Sequence, residues 1–208
     1  MPDLNSLEHF NEYYKKNPEA VLPISLLDFF KTQVSPRLKK NIDAAAEPSI
    51  LDIGPGNSSI FELSVFDYKN VTAIDFSSEA LAHVPKNSNI NYMRRDIASE
   101  NFKMPEETYD LIFDSHCLHC IIPSRERKNA FENIYHTLKV GGIFCAEMMV
   151  RPAMGVVHFP AKYVVTAREL EEEILGYGFK IQYFTMAQNL NFKNDDGECD
   201  LLRVIAYK

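Results

Sequence analysis

The sequence predicts an α/β protein: a doubly wound, mostly parallel sheet that ends in an antiparallel hairpin and follows an N-terminal helical cap. Three observations carry this. From Pro48 onward, short apolar runs alternate with helical stretches, the texture of a parallel sheet with helices on both faces. The first run is followed by Gly-Pro-Gly, and the second and fourth end in aspartate. The last two runs are joined by a polar stretch too short for a parallel crossover, which needs about a dozen residues or more.

The elements follow in order. Leu7, Phe10 and Tyr14 fall on one face of a helix that Ser6 caps. Pro18 and Pro23 break it. A second helix is expected from Ser25 to about Ala45, disturbed at Pro36. Most of the aromatic rings of this segment read as packing, and one or two as a lid over a pocket. The strands are then Ser49–Ile53, Asn70–Ile74, Asn89–Met93, Tyr109–Phe113 and Ile143–Val150. A helix opening at Ser124, taken as its cap, separates the fourth and fifth and turns Ala130, Phe131, Ile134 and Leu138 inward. Thr166-Ala-Arg-Glu169 has the form of a capping box before a helix with Leu170, Ile174 and Tyr177 inward. Phe179–Met186 and Leu201–Tyr207 form the hairpin around a surface loop at Asn191–Asp200, which brings the count to seven strands.

Composition narrows the function. The 208 residues carry a net charge of −7, which argues against nucleic-acid binding through a basic surface. The opening MPDLNSLEHFNEYY is polar where a secretory leader needs an apolar run, and no stretch approaches a membrane span. The expectation is a cytoplasmic protein with reduced thiols and no membrane association; an effector exported by another route would have the same features.

The chemistry concentrates at one sheet edge. Gly54-Pro55-Gly56 lets backbone approach a ligand, and the following helix is expected to offer free N–H groups. Asp75 closes the second strand, Asp96 lies just past the third and Asp114 closes the fourth. Acids placed for solubility alone would be scattered instead of standing at successive strand ends.

These residues resemble a family. Asp52-x-Gly54-x-Gly56, Asp75-Phe76, Asp96-Ile97, Tyr109-Asp110-Leu-Ile-Phe-Asp114 and Leu138-Lys-Val-Gly141-Gly142 are similar, in order and spacing, to the class I S-adenosylmethionine-dependent methyltransferases, which are Rossmann-like and seven-stranded. The resemblance covers about residues 46–208 and implies a methyltransferase domain there, with residues 1–45 as a cap or lid. It implies S-adenosylmethionine as cofactor and S-adenosylhomocysteine as product. Gly54 and Gly56 would pass the methionyl moiety, with Asp52 acting directly or through water. Asn57 and Ser58 would offer polar contacts. Asp75 would take the ribose hydroxyls, Phe76 would pack on the adenine, Asp96 would accept from its amino group with Ile97 on the ring, and Asp114 would complete the cofactor set. Two departures from the pattern are Ser58 for the third glycine and Pro55 between the other two.

A small-molecule acceptor suits a chain with no large substrate domain; a protein lysine side chain is the alternative. An NAD-dependent oxidoreductase would share the glycine turn and Asp75, but its G-x-G-x-x-G pattern fails at Ser59 and there is no room for a substrate domain. A non-catalytic nucleotide-binding module keeps the same fold without chemistry.

After the fourth strand, Ser115-His116-Cys117-Leu118-His119-Cys120 interleaves two histidines with two cysteines. No second ligand pair accompanies them and the spacing does not point all four at one ion, so no metal is expected. The cysteines read as small core residues. A Leu-His pair often follows this strand in small-molecule methyltransferases, which makes His119, with His116, the candidate to orient or deprotonate an acceptor. The long connection Arg151–Val165 lies at the same edge; its His158 and Tyr163, with Tyr14 of the first helix, are the candidate substrate residues.

Overall fold

The computed structural model describes residues 6–19, 24–41, 46–152, 162–194 and 197–208. The helices are α1 Leu7–Lys16, α2 Ile24–Phe29, α3 Ser35–Asn41, α4 Ser78–Ala82, α5 Ser124–Thr137 and α6 Ala167–Gly176. The strands are β1 Ser49–Ile53, β2 Asn70–Asp75, β3 Asn91–Arg94, β4 Tyr109–Asp114, β5 Leu138–Val150, β6 Lys180–Asn194 and β7 Gly197–Tyr207. They form one seven-stranded sheet in the order β3-β2-β1-β4-β5-β7-β6. β1 to β5 run parallel, and β7 lies antiparallel between β5 and β6. The doubly wound sheet with its terminal hairpin is as the alternation predicted.

Local chemistry explains most element ends. Ser6 caps α1 by accepting from the His9 N–H at 3.2 Å. Thr166 and Glu169 form both halves of the capping box of α6. The helical run 24–41 passes through Pro36 without breaking. A π turn at Phe30–Val34, with the Ser35 N–H donating to the Phe30 carbonyl, joins α2 to α3. Proline has no N–H and its ring crowds the carbonyl four residues back, here that of Thr32; the wider turn just before it relieves that crowding.

Four expectations need correction. The crossover from β1 to β2 holds no α-helix, only a 3-10 turn at Ile60–Glu62. Ser124 does not cap α5: the cap position falls on Pro123, which makes no side-chain bond. β5 begins at Leu138, ahead of the Gly141-Gly142 pair, and its pairing with β4 slips between Tyr109 and Leu111. The loop 191–200 is largely strand, because β6 and β7 stay paired to Asn194↔Gly197. Polar hairpin tips carry no apolar alternation, so periodicity alone could not see that pairing.

The sheet is covered on both faces. On one, Leu51, Ile53, Ile112, Phe144 and Val204 pack beneath Phe131 and Ile134 of α5 and Leu170 and Ile174 of α6. On the other, Ile50, Leu111, Phe113, Cys145 and Ile205 lie under Leu26, Phe29, Phe30, Val34 and Leu38. The segment 24–41 thus forms the layer that the β1–β2 crossover leaves open. Phe30 is its centre: Phe61, Phe66, Tyr68 and Phe113 meet it edge-on, with centroids 5.0, 4.9, 6.0 and 5.6 Å away. Among the described residues no helix is long and apolar enough to cross a membrane.

Phe30→Ala is therefore expected to destabilise the fold by about 3–5 kcal/mol in urea denaturation, as for other buried aromatics. A loss below about 1 kcal/mol would mean that 24–41 is not a core layer.

Candidate functional site

The parallel register brings the ends of β1, β2 and β4 to one edge, and the loops leaving them fold onto buried carboxylates. Asp75 is buried at the end of β2. Its Oδ2 accepts from the Gly56 N–H at 3.0 Å and its Oδ1 from the Ser77 N–H at 2.9 Å. Burial pushes its carboxyl up, against the pull of those N–H donors. Gly54 and Gly56 both take positive φ, +65° and +67°, which the turn requires of glycine.

Asp52 is fully buried, and among the described residues it meets no cation. The Ser59 hydroxyl donates to Oδ2 at 2.5 Å and the Ser115 hydroxyl to Oδ1 at 2.6 Å. Burial pushes this carboxyl up to about 7 despite both hydroxyls. Asp114 is equally buried: Oδ1 accepts from the Cys117 and Leu118 N–H groups at 2.9 and 3.0 Å, and Oδ2 has no partner among the described residues. Burial again dominates and raises it to about 6. Asp52 and Asp114 therefore act first on the protein's own loops.

Helix α1 lies over this edge. The position a Gly56 side chain would take is filled by the Tyr14 hydroxyl, 2.2 Å from an ideal Cβ. Burial, then the negative charge of Asp75, raises the Tyr14 phenol. The Asn11 carbonyl oxygen accepts from the Ser77 hydroxyl at 2.8 Å, Phe10 meets Phe76 edge-on at 5.4 Å, and the Asn57 amide donates to the Pro18 carbonyl at 3.0 Å. Tyr14, Phe76 and Asn57 are thus brought together with the glycine loop, Asn57 as a tie to the N-terminal segment. Ser58 is half-buried in the same loop. Asp96 is exposed past β3, where its carboxylate accepts from the Ala98 N–H at 2.9 Å, and Ile97 beside it is buried.

His116 and His119 lie beyond β4 with ring centroids 5.5 Å apart. The His116 backbone sits at φ +68°, a strained conformation for a side chain of this size. Its Nε2 lies 3.1 Å from Oε1 of Glu147, a fully buried carboxylate in β5. His119 is buried, its Nδ1 has no partner among the described residues, and burial pushes its imidazole well down. The cysteines diverge: Cys117 packs on Gly54, while the Lys162 ammonium donates to Cys120 Sγ at 2.6 Å. Among the described residues no three metal-ligating side chains converge.

Tyr163 donates its backbone N–H to the His119 carbonyl at 2.7 Å. Its ring lies 4.0 Å over the buried Arg127 guanidinium, which also pairs with Glu173. His158 lies outside the described residues. The sequence reading missed Ser59, Ser115 and Glu147. A glutamate inside the apolar run Ile143–Val150 was the visible signal, because a buried carboxylate needs partners.

Comparison with known proteins bears on the domain and the fold. A family model described as a methyltransferase domain matches residues 50–142. A search of curated proteins returned no match. Among solved structures, an S-adenosylmethionine-dependent methyltransferase from Methanosarcina mazei is 18% identical over 83% of this chain and 97% of its own, with a TM-score of 0.63. The phosphoethanolamine N-methyltransferase 2 of Haemonchus contortus, crystallised with S-adenosylmethionine, is 17% identical over 100% of this chain and 58% of its own, at 0.67. The [4+2]-cyclase SpnF is 14% identical over 85% of this chain and 80% of its own, at 0.64. The resemblance to class I methyltransferases thus holds for the domain model and the fold; the cyclase illustrates that the fold by itself does not dictate the reaction.

The buried carboxylates make stability depend on pH with a definite sign. Burial raises Asp52 from 3.8 to about 7 in the folded chain, so its contribution is full below about pH 4 and is lost as pH rises through about 7. The free energy of unfolding is expected to fall between about pH 4 and pH 7, and Asp52→Asn to flatten that fall by about 1–3 kcal/mol. Parallel curves for parent and variant in urea titrations would contradict the assignment.

Proposed function

We propose that the protein is an S-adenosylmethionine-dependent methyltransferase that moves a methyl group directly to a small-molecule acceptor. The observation that carries this is the Gly54–Gly56 loop closed on Asp75 at the carboxyl edge of a sheet with the order and hairpin of that fold. The residues suit the cofactor. Asp75 takes backbone N–H donors only and has acceptor capacity left for the hydroxyls of the ribose. Asp114 Oδ2 and His119 Nδ1 are buried polar atoms without a partner among the described residues.

The bound cofactor supplies an already activated sulfonium methyl, so the chain's own residues have to align, dry and deprotonate. Gly54 and Gly56 let backbone approach the methionyl end, with Ser58 and Asn57 alongside. Asp96, Ile97 and Phe76 frame the adenine. Asp52 acts indirectly in this reading: Ser59 and Ser115 occupy both of its oxygens, so it holds the loop after β1 against the loop after β4. Tyr14 and α1 close over the glycine loop and exclude water. His116 and His119 face the acceptor.

Asp75→Ala is expected to weaken S-adenosylhomocysteine binding by ~1.5–3 kcal/mol, about 10- to 150-fold, in calorimetry. Equal affinities, or preference for a nicotinamide dinucleotide, would sink the reading. If α1 is a lid, amides 7–16 exchange more slowly with S-adenosylhomocysteine bound; unchanged exchange in that segment would leave it as packing alone.

A further inference from the structure

Glu147 is a carboxylate that the fold goes to some length to keep. It sits on β5 two residues beyond Cys145, on the same face as that buried core, and is fully buried. Its direct cross-strand partner in the antiparallel pair is Arg203 of β7. Arg203 Nε donates to Oε2 at 2.9 Å, while its other nitrogens donate to Asp28 Oδ2 at 3.1 Å and the Ser25 carbonyl at 2.8 Å. An arginine opposite a carboxylate usually binds it through both oxygens. Here Oε1 is left for His116, at 3.1 Å.

That division settles the imidazole. Burial would raise the Glu147 carboxyl, but the bonds from His116, Ser25 and Arg203 outweigh it and hold the group below its ordinary range. An ionised carboxylate only accepts, so His116 Nε2 carries a hydrogen and, in the neutral ring, Nδ1 is the acceptor. Among the described residues Nδ1 meets no protein partner. The strained backbone at His116, φ +68°, is held by the Asp114 bonds to the next two N–H groups. The neighbouring ring of His119 leaves its buried Nδ1 without a partner among the described residues. A bare imidazole acceptor on His116 calls for a ligand that brings a proton.

We propose that Glu147 is the positioning residue for His116, and that the methyl acceptor is a small molecule whose nucleophilic oxygen or nitrogen carries a proton. This rests on the methyltransferase reading above. In the transfer step the acceptor's lone pair forms the new bond to the methyl carbon. The carbon–sulfur bond breaks, and its electron pair stays on sulfur, giving the neutral thioether. The acceptor's proton passes to His116 Nδ1, and the imidazolium charge develops opposite Glu147.

The test reads the ring directly. Long-range 1H–15N spectra of histidine-labelled protein, free and loaded with S-adenosylhomocysteine, are expected to show His116 with hydrogen on Nε2. In Glu147→Gln the two tautomers mix. Transfer of labelled methyl to a panel of phenols, alcohols and amines is expected to fall ~10- to 100-fold in kcat in that variant, with S-adenosylhomocysteine affinity within about twofold. The panel separates hydroxyl from amine acceptors. Hydrogen on Nδ1 in the parent, or an unaltered ring spectrum in the variant, overturns the role of Glu147; transfer to no member of the panel overturns the acceptor class. If Glu147→Gln does not fold, the parent spectrum still decides the tautomer. His116→Asn then has to lower kcat by ~100-fold at constant cofactor affinity, and unchanged turnover overturns the proposal. Failure of the parent to bind S-adenosylhomocysteine sinks the methyltransferase reading instead, while the ring spectrum of the free chain still judges Glu147.

Discussion

A carboxylate buried at the end of a parallel strand must find donors, and in this chain the donors come from the loops that leave the strands. Asp75 takes the Gly56 and Ser77 N–H groups, and Asp52 takes the Ser59 and Ser115 hydroxyls. Each bond is modest, but an unpaired buried charge is costly, so the loops are committed to these positions. The glycine turn, the cap of α4 and the start of the β4 loop are set together. Ser77 then carries the constraint outward, because its hydroxyl donates to Asn11 and so anchors α1 above the same edge.

The N-terminal segment divides into two parts with different work. Residues 24–41 are a structural layer whose rings and leucines cover the sheet face that the β1–β2 crossover leaves bare. Helix α1 has no buried residue and touches the carboxyl edge through Phe10, Asn11 and Tyr14. An element held mainly by its contacts to one site is free to answer to what binds there. Arg203 ties the two functions at another point: it grips Asp28 and Ser25 of α2 with one edge and Glu147 with the other.

Much of this was legible in the residues. The strands showed as apolar runs, Asp75 and Asp114 as their ends, and the hairpin as a connection too short for a crossover. What escaped had no local signal. The 3-10 turn after β1 replaces an expected helix because the covering layer is supplied from 24–41, a tertiary fact. Ser59 read only as a failed glycine; its value as a donor appears once Asp52 is known to be buried. Asp114 was placed at the right edge, but its Oδ1 serves the turn at Cys117 and Leu118. Glu147 was visible in the run Ile143–Val150, yet its partners lie 31 and 56 residues away in sequence.

The central claim is that the loops committed by Asp52 and Asp75 form one cofactor site. A cocrystal structure with S-adenosylhomocysteine tests it most directly. The account predicts the ribose on Asp75, the methionyl chain along Gly54–Gly56 beneath Tyr14, and the sulfur directed toward His116 and His119. Density at another edge of the sheet, or a ribose that leaves Asp75 untouched, would contradict it.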